Sequence, residues 1–238
     1  MNITILTTQT THHTFFVKSL LNLGYNITVF LELNQNLAFP FSTFHQYENL
    51  RENYEREKWF PSRLKSILIE DLVDIRKFAS INSVESINAI REVNSDLILV
   101  FGTGLIKKEF IKATLNTPIL NLHGGDPEKY RGLDSHLWAI YHKDYNSLVT
   151  TIHKLDENLD TGEIVQQGKL IIKKGSRLET LRSINTEMCV ELSKFAIEMF
   201  CDNRRIISTP QIQKGRYYSA MPSELKSLCV KNFQDFFN

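Results

Sequence analysis

Cysteine is scarce in this chain. The three present, Cys189, Cys201 and Cys229, are odd in number and form no CxxC pair, and two of them fall within a helical pattern. That usage fits free thiols in a reducing compartment. A basic surplus is also missing: 28 Lys and Arg face 27 Asp and Glu, the net charge is +1, and no Lys/Arg block stands out. A protein that grips nucleic acid through its phosphates needs such a surplus, so that partner is disfavoured. The N-terminus "MNITILTTQT" has no basic stretch leading into an apolar one, and no window approaches the ~18 apolar residues of a membrane span. A cytoplasmic chain without a membrane partner is expected. Glycine is absent from the first strand-to-helix turn, "TTQTTHH" (7–13). Without it the backbone cannot approach a pyrophosphate closely, which argues against a dinucleotide oxidoreductase. Internal repeats, low-complexity tracts and linkers are likewise missing.

What is present is enough apolar material, 42% of the 238 residues, to fill a real core. Short runs rich in β-branched residues, "ITIL" (3–6), "NITVFLE" (26–32), "DLILVFG" (96–102) and "TPILNLH" (117–123), alternate with stretches of helical spacing. This pattern predicts βαβ units and an α/β, Rossmann-like, mostly parallel twisted sheet with flanking helices. Phe16, Leu20 and Leu23 mark one crossover helix, ending at Gly24. Ile87, Ile90 and Val93 mark another, with Ser83 as its cap. Residues 33–82 are charged yet carry Tyr54, Trp59, Phe60, Leu64, Ile67 and Leu68, which reads as a surface helix broken near Pro61, then a second helix or short strand. "DSHLWAIYHKDY" reads as a helix, 147–155 as a strand and 163–175 as one or two more. Ser176 and Glu179 have capping-box spacing, and Leu181, Ile184, Met188, Leu192, Phe195 and Met199 share a face of the helix that follows. We therefore expect a catalytic domain over 1–205. A small C-terminal extension over 206–238 would hold a hairpin around Lys214–Gly215 that contributes to a homodimer.

The chemistry concentrates in "NLHGGDPEKYRG" (121–132) and "HKLDENLDTGEIV" (153–165). Asn121 and His123 end an apolar run, at the carboxyl edge where open α/β sheets bind ligands. Positions i and i+2 of a strand share a face, so both side chains look toward one point. An amide N–H and an imidazole N–H can donate to an oxygen gaining charge; a neutral His123 could instead take a proton from an attacking amine. Asp160, in a tight LDTG turn, is the best-placed carboxylate to orient the histidine, with Asp156 second. Read blandly, the same residues are an Asx-Gly turn and local backbone bonding. His123, Asp126, His136 and His142 do not make a convincing metal site, and no metal is expected.

These two segments resemble the folate-dependent formyltransferases, which include glycinamide ribonucleotide, methionyl-tRNA and sugar N-formyltransferases. The resemblance covers residues 95–170 in detail and the β–α alternation more loosely. It implies an N-formyltransferase that uses N10-formyltetrahydrofolate as co-substrate. In that family an asparagine, a histidine two residues on, and an aspartate in a D-x-G turn form the active site, with a strand histidine seven residues before the aspartate; here these are Asn121, His123, Asp160 and His153. The resemblance further implies donor contacts at Gly104 and Leu105 of "GTGLIK" (102–107), at Lys107, and at His153, Asp156 and Leu159. Asp160 would keep His123 charged and order a water that relays protons. The loop after the histidine departs from the family's Pro-Ser-Leu-Leu-Pro pattern. Its Gly124, Gly125, Asp126, Lys129, Tyr130 and Arg131 are the expected acceptor contacts, with Lys129 and Arg131 beside a diphosphate. Trp59, Phe60, Tyr130, Trp138 and Tyr217 are either base-stacking or core residues.

In length the chain is most similar to the sugar enzymes, which act on dTDP- or GDP-linked dideoxy amino sugars of surface polysaccharides such as lipopolysaccharide O-antigen. Another small amine as acceptor, such as glycinamide ribonucleotide or an amino-acid derivative, and a non-catalytic module that binds nucleotide sugar or folate, stay open. Asp-Thr-Gly also occurs in aspartic peptidases, but those chains are all-β, and helical patterns surround the motif here.

Overall fold

Hydrophobic runs of five to seven residues bury both faces in parallel sheets, and the strands bear this out. The structure is a computed structural model and describes residues 1–33, 38–61, 67–114 and 117–238; the expectation for Leu64 lies outside the described residues. In chain order the elements are β1 (Asn2–Thr7), α1 (Thr11–Leu21), β2 (Asn26–Glu32), α2 (Tyr47–Trp59), β3 (Ile75–Phe78), α3 (Val84–Glu92), β4 (Leu97–Phe101), α4 (Lys108–Ala113) and β5 (Ile119–His123). There follow β6 (Tyr130–Gly132), α5 (Ser135–Tyr141), β7 (Val149–Lys154), β8 (Ile164–Lys169), α6 (Leu181–Asn203), β9 (Arg216–Tyr218) and α7 (Ser223–Phe237). Seven strands form one sheet in the order β3-β2-β1-β4-β5-β7-β8. β3, β2, β1, β4 and β5 pair in parallel, while β7 runs antiparallel to both β5 and β8. The fold is therefore the expected α/β sheet.

Successive residues of each strand feed opposite layers. Ile3, Ile5, Val29, Leu99, Leu120 and Leu122 pack with Phe16 and Leu20 of α1 and Val190, Ile197 and Phe200 of α6. Leu6, Phe30, Ile98, Val100 and Ile119 pack with Ile90 of α3 and Phe110 of α4. The caps are local chemistry: the Thr10 hydroxyl accepts from the His13 amide at 3.2 Å, and the Ser83 hydroxyl accepts from Ser86 at 3.2 Å. Gly24 takes the left-handed position after α1.

Three expectations are corrected. The tail makes no hairpin at Lys214–Gly215: β9 instead pairs in parallel with β6 of the motif loop, and the chain then forms α7. Met221, Cys229 and Phe233 complete a third core with Tyr47, Leu137, Ile140 and Leu181. The Ser176/Glu179 capping box does not form; α6 starts at Leu181 after a short 3-10 turn, and Glu179 pairs with Arg177 at 2.7 Å. Of the expected α6 face, Leu181 and Leu192 are buried and Ile184, Met188 and Met199 pack partly buried against the core, whereas Phe195 is exposed; Ser183, Thr186, Cys189, Ser193, Ala196 and Ile197 are buried as well. Residues 163–175 supply one strand, β8, within the one or two expected. The charged insertion forms α2, which stops at Trp59 ahead of Pro61, and later the edge strand β3.

Candidate active site

The sheet changes direction between β5 and β7, and the polar cluster sits at that change. Across the antiparallel pair Asn121 faces His153 and His123 faces Thr151. Leu120 and Leu122 point into the α1–α6 core, so Asn121 and His123 look the other way together. The Asn121 amide nitrogen lies 3.1 Å from His153 Nε2 and 3.4 Å from Asp160 Oδ1. His153 Nδ1 is 2.8 Å from the Lys154 carbonyl, which accepts only, so Nδ1 carries a hydrogen and Nε2 can accept from the amide.

Asp160 comes to this point in the left-handed region, at φ 53°, a conformation that aspartate tolerates better than most residues. Its Oδ2 accepts from the Gly132 amide at 2.8 Å and lies 3.6 Å from His123 Nδ1; Oδ1 lies 3.5 Å from His153 Nε2. The carboxyl group is about as buried as the core, 5% exposed. Burial alone would raise its pKa, but the neighbouring His123 and His153 rings and the Gly132 amide outweigh it and hold Asp160 at about 2. It is thus a fixed negative charge beside the histidine. The other face of the histidine differs from expectation. His123 Nε2, the ring nitrogen away from Asp160, lies 2.8 Å from the Tyr130 carbonyl instead of being free to meet an oxyanion.

All of this lines one cavity of about 840 Å³. Of the expected positions, Asn121, His123, Asp160, Gly104, Leu105, His153, Asp156, Leu159 and Gly124 lie in its wall. Lys107 does not; it is exposed and its amide bonds Asn82 Oδ1 at 2.7 Å. The expected acceptor contacts beyond Gly124 are also outside the wall, for reasons of bonding. Gly125 is wedged beneath His123, where a Cβ would come within 2.8 Å of Ser135 Cβ. Asp126 Oδ1 accepts from the Glu128 amide at 3.1 Å, and Lys129 reaches Asp144 and Ser147 at 3.4 and 3.0 Å. Tyr130 is buried in the third core. Arg131 spends its donors on the Gly215 and Leu159 carbonyls at 2.7 and 2.8 Å, tying the motif loop to the LDTG turn. Of the five aromatic candidates Tyr217, 53% exposed, lines the cavity; Trp59 lies flat on Phe15, and Trp138 Nε1 donates to the Ser219 carbonyl.

Several wall residues escaped the sequence reading. Glu32, at the end of β2, accepts from the amides of Gly104 (2.8 Å) and Ile81 (3.0 Å) and so fixes the 102–106 loop. Asn185 of α6 accepts from the Thr150 hydroxyl at 2.7 Å, which leaves its amide nitrogen on the side of Gly124. His13 and His136 are driven down by burial to about 3 and about 4, against the pull of the Thr8 and Val149 carbonyls, so both are neutral near pH 7. Gln211, in the tail, donates to the Asp160 and Gly162 carbonyls at 3.0 and 2.8 Å. An acid at the end of a strand was the one signal available for Glu32; nothing local marks Gln211.

Comparison with known proteins agrees with this geometry. A methionyl-tRNA formyltransferase of Methylacidiphilum infernorum is 28% identical over 166 residues, which are 70% of this chain and 50% of that one. The chain spans about half the length of the curated relatives it matches. A sugar N-formyltransferase from a Shewanella species superposes with TM-score 0.60 at 18% identity, covering 96% of this chain and 80% of that one. The formyltransferase PseJ of Anoxybacillus kamchatkensis, solved with UDP-4,6-dideoxy-4-formamido-L-AltNAc and tetrahydrofolate, gives 0.53 at 18% identity over 92% and 86%. At such identities the structures carry the fold alone. The family profile described as "Formyl transferase" matches residues 64–189, which is more than half of the sequence and includes Asn121, His123, His153 and Asp160. The chain belongs to the formyl transferase family.

Proposed function

We propose that this protein transfers the formyl group of N10-formyltetrahydrofolate to the primary amine of a nucleotide-linked amino sugar. The observation that carries the reading is the meeting of Asn121, His123 and Asp160, 39 residues apart at the extremes, in the wall of one cavity. Cavities of ~300–1,000 Å³ suit ligands of this size, and about 840 Å³ leaves space for a donor and an acceptor end. The fit of the donor rests on irregular backbone at 102–106 and 155–160, whose amides and carbonyls suit a flat heterocycle rich in donors and acceptors. When bound, the donor supplies an electrophilic formyl carbon.

The chain's own residues supply the rest. As the amine attacks, charge builds on the formyl oxygen, and the Asn121 amide and the His123 imidazolium are the groups able to donate to it. Both must exchange partners. Asn121 gives up its long 3.4 Å contact with Asp160, and His123 gives up the Tyr130 carbonyl. Asp160 stays ionised, faces the imidazole and keeps a positive ring favourable. One proton leaves the amine and one reaches the departing N10, so no net proton is consumed. The acceptor class draws support from the sugar enzymes that share the fold. The test is an assay with the formyl donor and a panel of dTDP-, UDP- and GDP-linked amino sugars, with glycinamide ribonucleotide included. A product heavier by one formyl group is expected from a nucleotide sugar; formylation of glycinamide ribonucleotide alone would replace the acceptor assignment. Binding of every panel member without turnover would leave a sensor.

A further inference from the structure

The insertion helix α2 has no counterpart in the motifs above, yet Tyr47 and Arg51 bring it into the cavity wall. It is clamped there by Arg182 of α6. Arg182 Nε and Nη2 meet the two oxygens of the fully buried Glu55 at 2.7 and 2.6 Å, and Nη2 also meets Glu52 at 3.1 Å. Arg182 is therefore matched by two carboxylates. Arg51, the other guanidinium in the wall, is matched by none among the described residues, and the residues outside that description include no Asp or Glu.

Its bonding is correspondingly poor. Arg51 Nε is buried without a hydrogen-bond partner, Nη1 has one long 3.4 Å contact to the Tyr47 hydroxyl, and the guanidinium rests 5.5 Å from the Tyr47 ring centre. The acids that share the wall are engaged elsewhere. Glu32 holds the Gly104 loop, Asp156 holds the Thr161 hydroxyl at 2.8 Å, Asp134 takes the Met221 amide at 2.8 Å, and Asp160 serves the reaction centre. A guanidinium has five donors in a fixed fork, and one whose Nε is buried without a partner, with no anion beside it, is an incomplete arrangement. The two cations expected to meet a diphosphate, Lys129 and Arg131, are already bonded within the protein.

We propose that Arg51 is the anion anchor of the acceptor subsite, receiving a phosphate or carboxylate carried by the molecule whose amine is formylated. The inference rests on the formyl-transfer reading for the word acceptor. The subsite itself is testable without turnover. Calorimetric titration of the full chain uses dTDP, UDP and inorganic pyrophosphate as phosphate probes, succinate as the carboxylate probe, and 5-formyltetrahydrofolate as a donor mimic. One anionic probe is expected to bind, and which one identifies the source. Arg51→Met should weaken that probe on the order of tenfold or more, as loss of charge-assisted bonds does. Arg51→Lys should recover part of it, and the donor mimic should bind all three proteins within about twofold. Wild-type affinity for the anion should also fall as salt rises. Equal anion binding by Arg51→Met and wild type overturns the proposal, as does a wild type that binds the donor mimic but no anionic probe. Failure of the donor mimic to bind, with the anion result intact, would count against the formyl-transfer reading instead.

Discussion

Replacing Asp160 by asparagine keeps the size of the side chain and removes its charge, so it isolates what that charge does. In the fold the carboxyl pKa falls from 3.8 to about 2, despite burial, because of His123, His153 and the Gly132 amide. A folded-state pKa below the unfolded one means stability that is fully present above about pH 4 and is lost as pH falls toward 2. At about 1.4 kcal/mol per pH decade, the charge contributes about 2 kcal/mol near neutrality, and about 1 kcal/mol of this disappears between pH 5 and pH 3. Urea unfolding of wild type and Asp160→Asn across that range measures it as the narrowing of their difference. The same variant should lower kcat by a factor on the order of 10² or more, since an amide cannot favour a charged His123. A stability difference that stays flat from pH 5 to pH 3 would show that the carboxylate is not held by its neighbours. Near-full turnover by the variant would remove it from the chemistry.

Three further outcomes are expected, besides those for Arg51. His123→Ala should cost kcat on the order of 10² or more in single-turnover assays while the affinity for 5-formyltetrahydrofolate changes little. Gly132→Ala should destabilise the fold by about 2 kcal/mol in urea and reduce turnover as well: Gly132 has φ 94°, a Cβ there would sit 2.3 Å from the Tyr218 carbonyl, and its amide holds Asp160. Glu32→Gln should raise the donor KM by about tenfold with kcat nearly unchanged, because it loosens the Gly104 loop and leaves the polar cluster intact; an unchanged KM would take that loop out of donor binding.

How far the sequence could be read depends on where each bond partner lies. β1, β2, β4 and β5 were legible because strands buried on both faces must be apolar runs, and the spacing of Asn121 and His123 follows from the two-residue repeat of a strand. The packed surface of α6 was legible only in part. Thr186 and Ser193 are buried by turning their hydroxyls onto the Arg182 and Cys189 carbonyls at 2.8 Å, so polar residues share the packed surface with Leu181 and Leu192 and apolar periodicity alone does not mark them. α7 was hidden similarly. Its buried Lys226 lies 2.7 Å from Glu48, 178 positions away, and Asn232 donates to the Ile140 carbonyl at 3.3 Å. β9 is three residues long and pairs with β6 across more than 80 positions, so no local pattern announces it. Lys129 and Arg131 were read as phosphate contacts because their partners, Asp144, Ser147 and two carbonyls, belong to segments whose proximity only the fold reveals.

These long-range partners also bear on how the site is kept in order. Asn121 and His123 are fixed by the β5 ladder, but Asp160 lies in a turn between β7 and β8 that no ladder holds. Its carboxylate is placed by the Gly132 amide, its carbonyl by Gln211, and the turn as a whole by Arg131 on Leu159. Gln211 and Gly215, which also accepts from Arg131, belong to the tail. Residues after α6 therefore help to fix the Asp160 carboxylate in the polar cluster. Their contribution acts through the position of one carboxylate whose charge is set by contacts of 2.8 to 3.6 Å. Coulombic support from an imidazolium weakens with distance and with the entry of water, so displacement of the turn would let the Asp160 pKa rise from about 2 toward 3.8. The positive form of His123 would lose its nearest counter-charge at the same time. The Gly132 amide and Arg131 hold this turn from the motif loop and Gln211 holds it from the tail, so substitutions in the tail, far from Asp160 in sequence, bear on its carboxylate.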